Sequence, residues 1–200
     1  RDPVEPNKKL LNKNTKLKTV MITGSGGTIG SELCKQILKL KPKKLILFEN
    51  NEYALYKIYE KLKLINENSD ITPIIGNIQN QKKLEKIFQI FNVDTVYHAA
   101  AYKHVPLVEA NICEGVQNNV LGTLAVTKAV INKQVKNFVL ISSDKAVRPT
   151  NVMGATKRFS ELCLQVLYKN NDALNFSIVR FGNVLASSGS VIPKFKEQIS

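Results

Sequence analysis

Tryptophan is absent from this chain, histidine occurs twice, cysteine three times, and carboxylates are scarce: 16 Asp and Glu against 29 Lys and Arg. The cysteines, Cys34, Cys113 and Cys163, are scattered, odd in number and in no C-x-x-C pair. That argues against a disulfide framework or a zinc site and for a reducing compartment. No apolar run reaches the roughly 18 residues a membrane-spanning helix needs. The opening stretch, RDPVEPNKKLLNKNTKLK, has no apolar core of the kind a signal peptide carries. The chain as given therefore reads as soluble and cytoplasmic. No internal repeat or low-complexity segment interrupts it.

What is present suits one α/β domain, or one domain and part of a second: 200 residues, 44% of them hydrophobic. The formal charge of +13 is large. It is compatible with a nucleic-acid surface, an anionic membrane surface or plain lysine richness. The lysines are spread over NKKLLNKNTKLK, KLKPKK, YEKLKL and QKKLEKIF rather than gathered into one stripe, which favours solvated faces. The start, 8–18, is the best candidate for a membrane-proximal or acidic-partner contact.

Apolar periodicity alternates between two kinds of segment. Strands are expected at 18–23, 43–49, 71–76, 94–100, 136–143 and 175–182, and helices at 28–40, 52–65, 81–91, about 107–133 and about 152–170. The strands are short, continuous and rich in Val, Ile and Leu, as expected where helices cover both faces of a parallel sheet. The fold class is thus α/β with a doubly wound parallel sheet of Rossmann type. A nucleotide domain occupies 18–183 behind an N-terminal linker or extension, 1–17. The end, 184–200, is expected to begin a substrate lobe, closing in a final helix, with most of that lobe absent.

Between the first strand and first helix stands TGSGGTIGSE, residues 23–32. Glycine costs backbone entropy, so four of them in seven positions need a reason. Gly24, Gly27 and Gly30 have the spacing of a dinucleotide loop. The first permits the turn, the second admits a pyrophosphate, and the third lets helix pack on strand above a helix N-terminus that favours anions. Gly26 adds freedom, and Ser25, Thr28 and Ile29 complete the loop. Glu49 ends the second strand nineteen residues beyond Gly30, where a carboxylate binds ribose hydroxyls and repels a 2′-phosphate, so NAD is favoured over NADP. Asn77 and Ile78 are placed to meet the adenine edge, or simply to form a strand-end turn. Ala99, Ala100 and Ala101 let backbone lie against the cofactor. His98 and His104 are candidates for catalysis, though structural hydrogen bonding accounts for each more simply. No metal site is expected.

ISSDKAVRPTNVMGATKR, 141–158, is the segment richest in chemistry. Ser143, Asp144 and Lys145 leave a strand, and Met153 and Lys157 follow four apart on one helix face. A carboxylate and an ammonium at a strand's C-terminal edge, beside a dinucleotide, supply an acid and a base. A surface ion pair in a loop is the plainer reading of the same residues.

Taken together, RDPVEP, MITGSGGTIGSEL, AAAYKHVPLVEAN, NNVLGT, SSDKAVRPTNVMGATKR and RFGNVLASSGSVIP resemble the extended short-chain dehydrogenases/reductases. More narrowly, they are similar to the nucleotide-sugar 4,6-dehydratases of bacterial polysaccharide biosynthesis that act on UDP-N-acetylglucosamine. The wider superfamily uses a Tyr-x-x-x-Lys pair. Here Met153 takes the tyrosine's place with Lys157 retained, the pattern of the family's large, membrane-anchored branch. Methionine accepts no proton, so the resemblance moves that burden to Asp144 and leaves Lys157 to hold the nicotinamide ribose.

The mechanism this resemblance implies starts with hydride passing from sugar C4 to NAD⁺ as Asp144 accepts the C4 hydroxyl proton. Lys145 then removes the C5 proton, water leaves C6 with a proton from Asp144, and the hydride returns to C6. Ser143 hydrogen-bonds near the C4 oxygen. The division of labour between Asp144 and Lys145 stays open. The resemblance also places Lys103, His104 and Glu109 beside the substrate, Asn119 near the helix supporting the site, and Arg180 and Asn183 at the sugar-nucleotide face. Asn119 as a backbone bridge and Arg180 as an ion-pair partner are the structural alternatives. The implied partners are a UDP-sugar and a second copy of the chain, through helices within 101–131. Nucleic acid is not implied, and membrane attachment is implied only through a region preceding the given sequence. Two other readings stand beside it: another nucleotide-sugar enzyme, such as an epimerase or dehydrogenase, and a non-catalytic NAD-sensing module.

Overall fold

The computed structural model describes residues 5, 7–169, 171, 174–184 and 199. Six strands form one wholly parallel sheet: β1 (Thr19–Thr23), β2 (Lys44–Glu49), β3 (Ile71–Ile75), β4 (Thr95–His98), β5 (Asn137–Ser143) and β6 (Asn175–Phe181). Their order, β3-β2-β1-β4-β5-β6, reverses direction between β1 and β4. A crevice must open at that switch point beyond the strands' C-terminal ends, which is where such sheets bind ligands.

Pleating sorts the core into two layers. In β1, Met21 packs against one face, with Phe48 of β2 and with Leu84, Phe88 and Val126 of the helices α4 (Gln81–Phe91) and α7 (Thr123–Asn132). Val20 and Ile22 point the other way, against Cys34 and Ile37 of α2 (Thr28–Lys39) and Leu55, Ile58 and Leu62 of α3 (Glu52–Ile65). Strands buried on both faces need the continuous apolar runs seen in the sequence, and each fully buried Leu or Ile contributes about 1.5–3 kcal/mol. The helix α8 (Val152–Tyr168) joins the first layer through Leu164.

Within the stretch 1–17, expected as a linker or N-terminal extension, lies a helix, α1 (Lys8–Thr15), capped by the Asn7 side chain on the Leu10 amide. It docks through buried Thr15 and through Asn14, whose carbonyl accepts from Thr95 Oγ1 at 2.8 Å. Its exposed leucines hide the usual amphipathic signal. The long helical region expected at about 107–133 consists of α5 (Val105–Ala110), opened by Pro106, α6 (Ile112–Gly115), and a π-helical stretch over Val116–Gly122 that runs into α7. Asn111, at φ −136°, separates the first two. The expected final helix and substrate-lobe segment, 185–198 and 200, lie outside the described residues, as does the RDPV start, 1–4.

Candidate functional site

Beyond the C-terminal ends of β1, β2, β4 and β5 the surface opens into two clefts. The smaller, about 260 Å³, is bordered by Gly24, Gly26, Glu49, Ile78, Ala100 and Asn118. The larger, about 470 Å³, is bordered among others by Thr28, Lys103, Ser143, Lys145, Met153 and Lys157. Gly27, Ala99, Ala101 and Tyr102 line both, so the two form one elongated trough with the glycine loop at its waist. That is the shape of a dinucleotide laid across the switch point.

The loop geometry fits a phosphate-bearing group. Gly24 holds φ +67°, and a Cβ there would lie 2.6 Å from the Ala100 amide nitrogen. A Cβ on Gly30 would run into the carbonyl oxygen of Gly24, so the third glycine is what lets α2 seat against β1. Among the described residues no side chain caps the α2 N-terminus and its first turn carries no acid, so its dipole favours an anion. Glu49 stiffens the rim: Oε2 accepts from the Gly26 amide at 2.9 Å, and Oε1 from the amides of Asn50 and Asn51 at 2.9 and 3.2 Å. Ser25 is fully buried, and its Oγ has no hydrogen-bond partner among the described residues. Ile29 and Gly30 border the larger cleft beside Thr28. Asn77 lies outside both linings, its Oδ1 accepting from the Gln79 amide at 2.8 Å in its own turn. Ile78, not Asn77, carries the strand end into the cleft.

At the other end β5 and the 3₁₀ turn after it bring Ser143 and Lys145 to the border of the larger cleft, while Asp144, between them, lies outside that border. Ser143 Oγ donates to Asp144 Oδ1 at 3.0 Å. Lys145 Nζ lies 3.3 Å from the same oxygen and 3.2 Å from Asn183 Oδ1. What desolvation there is opposes ionisation of Asp144, but the Ser143 hydroxyl and Lys145 ammonium outweigh it and hold the carboxyl below its usual range. Met153 and Lys157 stand one turn apart on α8 and border the same cleft. Lys157 is only 7% exposed and donates to the Ile141 carbonyl at 2.6 Å. Burial pulls its pKa down to about 8, against the opposing charge of Glu161. With one acceptor among the described residues, the ammonium keeps two of its three N–H donors for a ligand in the cleft it borders.

The structure does not bring every expected residue to the trough. Asn119 is saturated: Oδ1 accepts from the Tyr102 amide at 2.7 Å and from Asn118, while Nδ2 donates to the Tyr102 carbonyl and Thr156 Oγ1. It bridges the β4 loop to α8 and touches neither cleft. Arg180 turns away to Glu161, with Nε to Oε1 at 2.9 Å and Nη2 to Oε2 at 2.6 Å. Glu109 accepts from the Val152 amide at 2.6 Å and so caps the α8 N-terminus, where a carboxylate meets the helix dipole. Lys103 and His104 do border the larger cleft, and so does Asn183. His98 lies beneath it, 1% exposed, between Thr23 and Thr123. Thr123 gives its own proton to the Asn119 carbonyl, so the network assigns the imidazole proton to Nε2 and leaves Nδ1 to accept from Thr23. Burial, helped by the Lys157 charge, lowers the His98 pKa to about 3, which makes this imidazole a neutral strut.

Sequence reasoning missed Asn118, which borders the smaller cleft from the π-helical stretch, a geometry that recurs at functional sites. The polar pair in VQNNVLG, on a buried helix face, was its available signal. It also missed Glu161, which is fully buried and takes hydrogen bonds from Ser142, Arg158 and Arg180. Among the described residues no cluster of His, Cys, Asp or Glu is placed to hold a metal ion, and no helix is long and apolar enough to cross a membrane.

Comparison with known proteins narrows the chemistry. The chain is 46% identical over all its 200 residues to the capsular polysaccharide biosynthesis protein CapD of Staphylococcus aureus, covering 33% of that protein. It is 37% identical over 187 residues to an inverting UDP-N-acetylglucosamine 4,6-dehydratase of Campylobacter jejuni, covering 92% of this chain and 54% of that one. A UDP-glucose 4-epimerase of Rickettsia rickettsii is 35% identical over 188 residues, 91% of this chain and 53% of the epimerase. The chain thus spans between a third and about half of these relatives. Among solved structures, Pen from Bacillus thuringiensis superposes with a TM-score of 0.86 at 39% identity, over 93% of this chain and 58% of that one. The fold alone extends to a Stenotrophomonas UDP-glucose 4-epimerase solved with bound NAD, at a TM-score of 0.75 and 20% identity, over 82% of this chain and 52% of that one. A model of the polysaccharide biosynthesis protein family matches residues 20–200. The chain is a member of that family, within the extended short-chain dehydrogenases/reductases.

Proposed function

We propose that this chain is the nucleotide-binding part of an NAD-dependent 4,6-dehydratase acting on UDP-N-acetylglucosamine. The observation that carries the reading is that Ser143 and Lys145, both bonded to Asp144, border the same cleft as Lys157, at the end of a trough shaped for a dinucleotide. The cofactor would be held by the glycine loop and α2 at its pyrophosphate, by Glu49 and Ile78 at its adenosine end, and by Lys157 at the nicotinamide ribose. When bound, it supplies reversible hydride transfer.

The rest falls to side chains. Asp144, ionised at neutral pH, takes the proton of the sugar C4 hydroxyl, and Ser143 hydrogen-bonds the same oxygen. Oxidation at C4 acidifies C5; Lys145, having released its own proton to solvent once Asp144 is neutralised, removes the C5 proton and gives it back to C5 when the hydride is returned at C6. Asp144 then gives its proton to the C6 hydroxyl as water leaves. Substrate closing over Asp144 would exclude solvent and raise its pKa, which suits the donating step. Met153 packs one turn from Lys157 as an apolar wall. Lys103, His104 and Asn183 line the space beside the sugar nucleotide.

An epimerase is the second reading, supported by the Rickettsia relative. The test is to incubate the protein, at the length of its relatives, with UDP-N-acetylglucosamine and NAD and to weigh the product. A dehydratase yields a sugar nucleotide lighter by one water; an epimerase yields an isomer of unchanged mass.

A further inference from the structure

The edge of the sheet opposite the trough has a composition that neither the fold nor the proposed reaction requires. Because all strands are parallel, every helix-to-strand turn is delivered to this one edge. Hydrogen bonds weld the turns together: Leu17 N to Lys41 O, Lys43 N to Lys18 O, and Asn175 N to Lys136 O. α1 lies on the same edge through Asn14 and Thr95. The edge carries Lys13, Lys16, Lys18, Lys41, Lys43 and Lys136, none in an ion pair among the described residues. Of the acids there, Asp70 pairs with Lys44 and Asp94 accepts from the Thr19 amide, while Glu67, in the turn before β3, sets one carboxylate against the six lysines. Sequence reading dispersed these lysines over separate runs; the topology reunites them.

Leucines stand among these cations. Leu10, Leu11 and Leu17 are 64%, 41% and 72% exposed. Leu17 is also held at φ +57°, a left-handed conformation in which a side chain is strained and where glycine or asparagine is the ordinary choice. Lys41 and Gln134 occupy the same conformation, at +54° and +52°, in the neighbouring turns. Three turns on one edge thus project leucine, lysine and glutamine from positions that favour glycine.

We propose that this edge, together with α1, docks on an anionic phospholipid surface, with the lysines at the headgroups and the leucines reaching the acyl boundary, so that the trough faces away from the bilayer. Exposed leucines distinguish lipid from nucleic acid, which rewards cations and stacking aromatics but not aliphatic side chains. The inference is independent of the reaction proposed above.

Sedimentation of the chain with vesicles tests it, using phosphatidylcholine alone and an equal mixture with phosphatidylglycerol. Binding is expected only to the mixture, weakening as salt is raised. Each lysine near such a surface is worth about fivefold, so K16E/K41E/K43E lowers partitioning by roughly a hundredfold or more. K61E/K82E/K86E, on the outer faces of α3 and α4, makes the same change in net charge and leaves binding near the original. Leu17→Asn relieves the strained turn, so the protein folds at least as well yet binds the vesicles several-fold less. Equal losses in the two triple variants would reduce the effect to net charge and overturn the proposal. So would no binding to the mixture, undiminished binding by Leu17→Asn, or edge-dependent binding to duplex DNA in preference to the vesicles.

Discussion

Arg180 on β6 grips Glu161 on α8 through two parallel hydrogen bonds, and Ser142 of β5 donates to the same carboxylate at 2.6 Å. One buried anion therefore ties the helix to the two strands whose ends form the floor of the larger cleft. Burial alone would push the Glu161 carboxyl up, but Arg180, Ser142 and Arg158 outweigh it and hold it below its usual range.

Removing one of these bonds is costly because the acceptor is charged and buried. Ser142→Ala is expected to lower the unfolding free energy by about 1.5–3 kcal/mol in urea titrations. Since the folded carboxyl titrates below the unfolded one, its contribution is complete above the ordinary glutamate pKa and is lost as pH falls through the lower folded value. The stability gap between the original protein and Glu161→Gln should therefore narrow as the medium is acidified below about pH 4.3. A gap that stays constant there would count against the network.

His98 acts in a different window. Its pKa is about 3 when folded, against an ordinary value of 6.5, so between those limits the unfolded chain takes up a proton that the folded chain refuses. Stability should rise with pH across that interval, by up to about 1.4 kcal/mol per unit, and be complete above it. His98→Asn should flatten the slope between pH 5 and 6.5, where Glu161 contributes none of it. The imidazole carbon shifts in NMR should stay those of the neutral Nε2–H form at pH 5.

Cofactor binding tests the loop. Gly24→Ala places a methyl 2.6 Å from the Ala100 nitrogen in a left-handed conformation, and at least a tenfold loss of NAD affinity by calorimetry is expected. Glu49 should make the original protein prefer NAD to NADP, and Glu49→Gln should narrow that preference while weakening NAD binding. Equal affinity of the original protein for the two cofactors would contradict the assignment.

The acid–base assignment predicts that Asp144→Asn, in a protein as long as its relatives, lowers kcat by about 10²–10⁴ with KM little changed. Asn119→Ala should behave otherwise, with lower thermal stability and a kcat that recovers at temperatures where the variant stays folded. An Asp144 variant with ordinary turnover would remove this carboxylate from the chemistry.

The fold was legible because its signal is local. The central strands, buried on both faces, must be apolar throughout, so the runs Thr19–Thr23 and Lys44–Glu49 announce themselves, while β3 and β6, at the sheet's edges and only partly buried, were legible from their Ile, Val and Phe content. The glycine loop was legible for the same reason: Gly24 and Gly30 are required by contacts within one strand–loop–helix unit. Partners chosen across the sheet were not. Arg180 could equally meet a substrate or Glu161, and nothing in RFGN distinguishes the two. Asn119 and Glu109 read as polar residues beside a site because sequence does not show which backbone groups their side chains must satisfy. α1 was hidden for an opposite reason: its leucines are exposed, so the periodicity that marks a packed helix was missing.

The measurement closest to the central claim follows one hydrogen. UDP-N-acetylglucosamine deuterated at C4 would be converted by the protein at the length of its relatives, with NAD, and the product examined by NMR and mass spectrometry. A 4-keto product that has lost one water and carries the deuterium at C6 is the predicted result. A product of unchanged mass with the deuterium still at C4 and that carbon inverted would contradict it in favour of epimerisation.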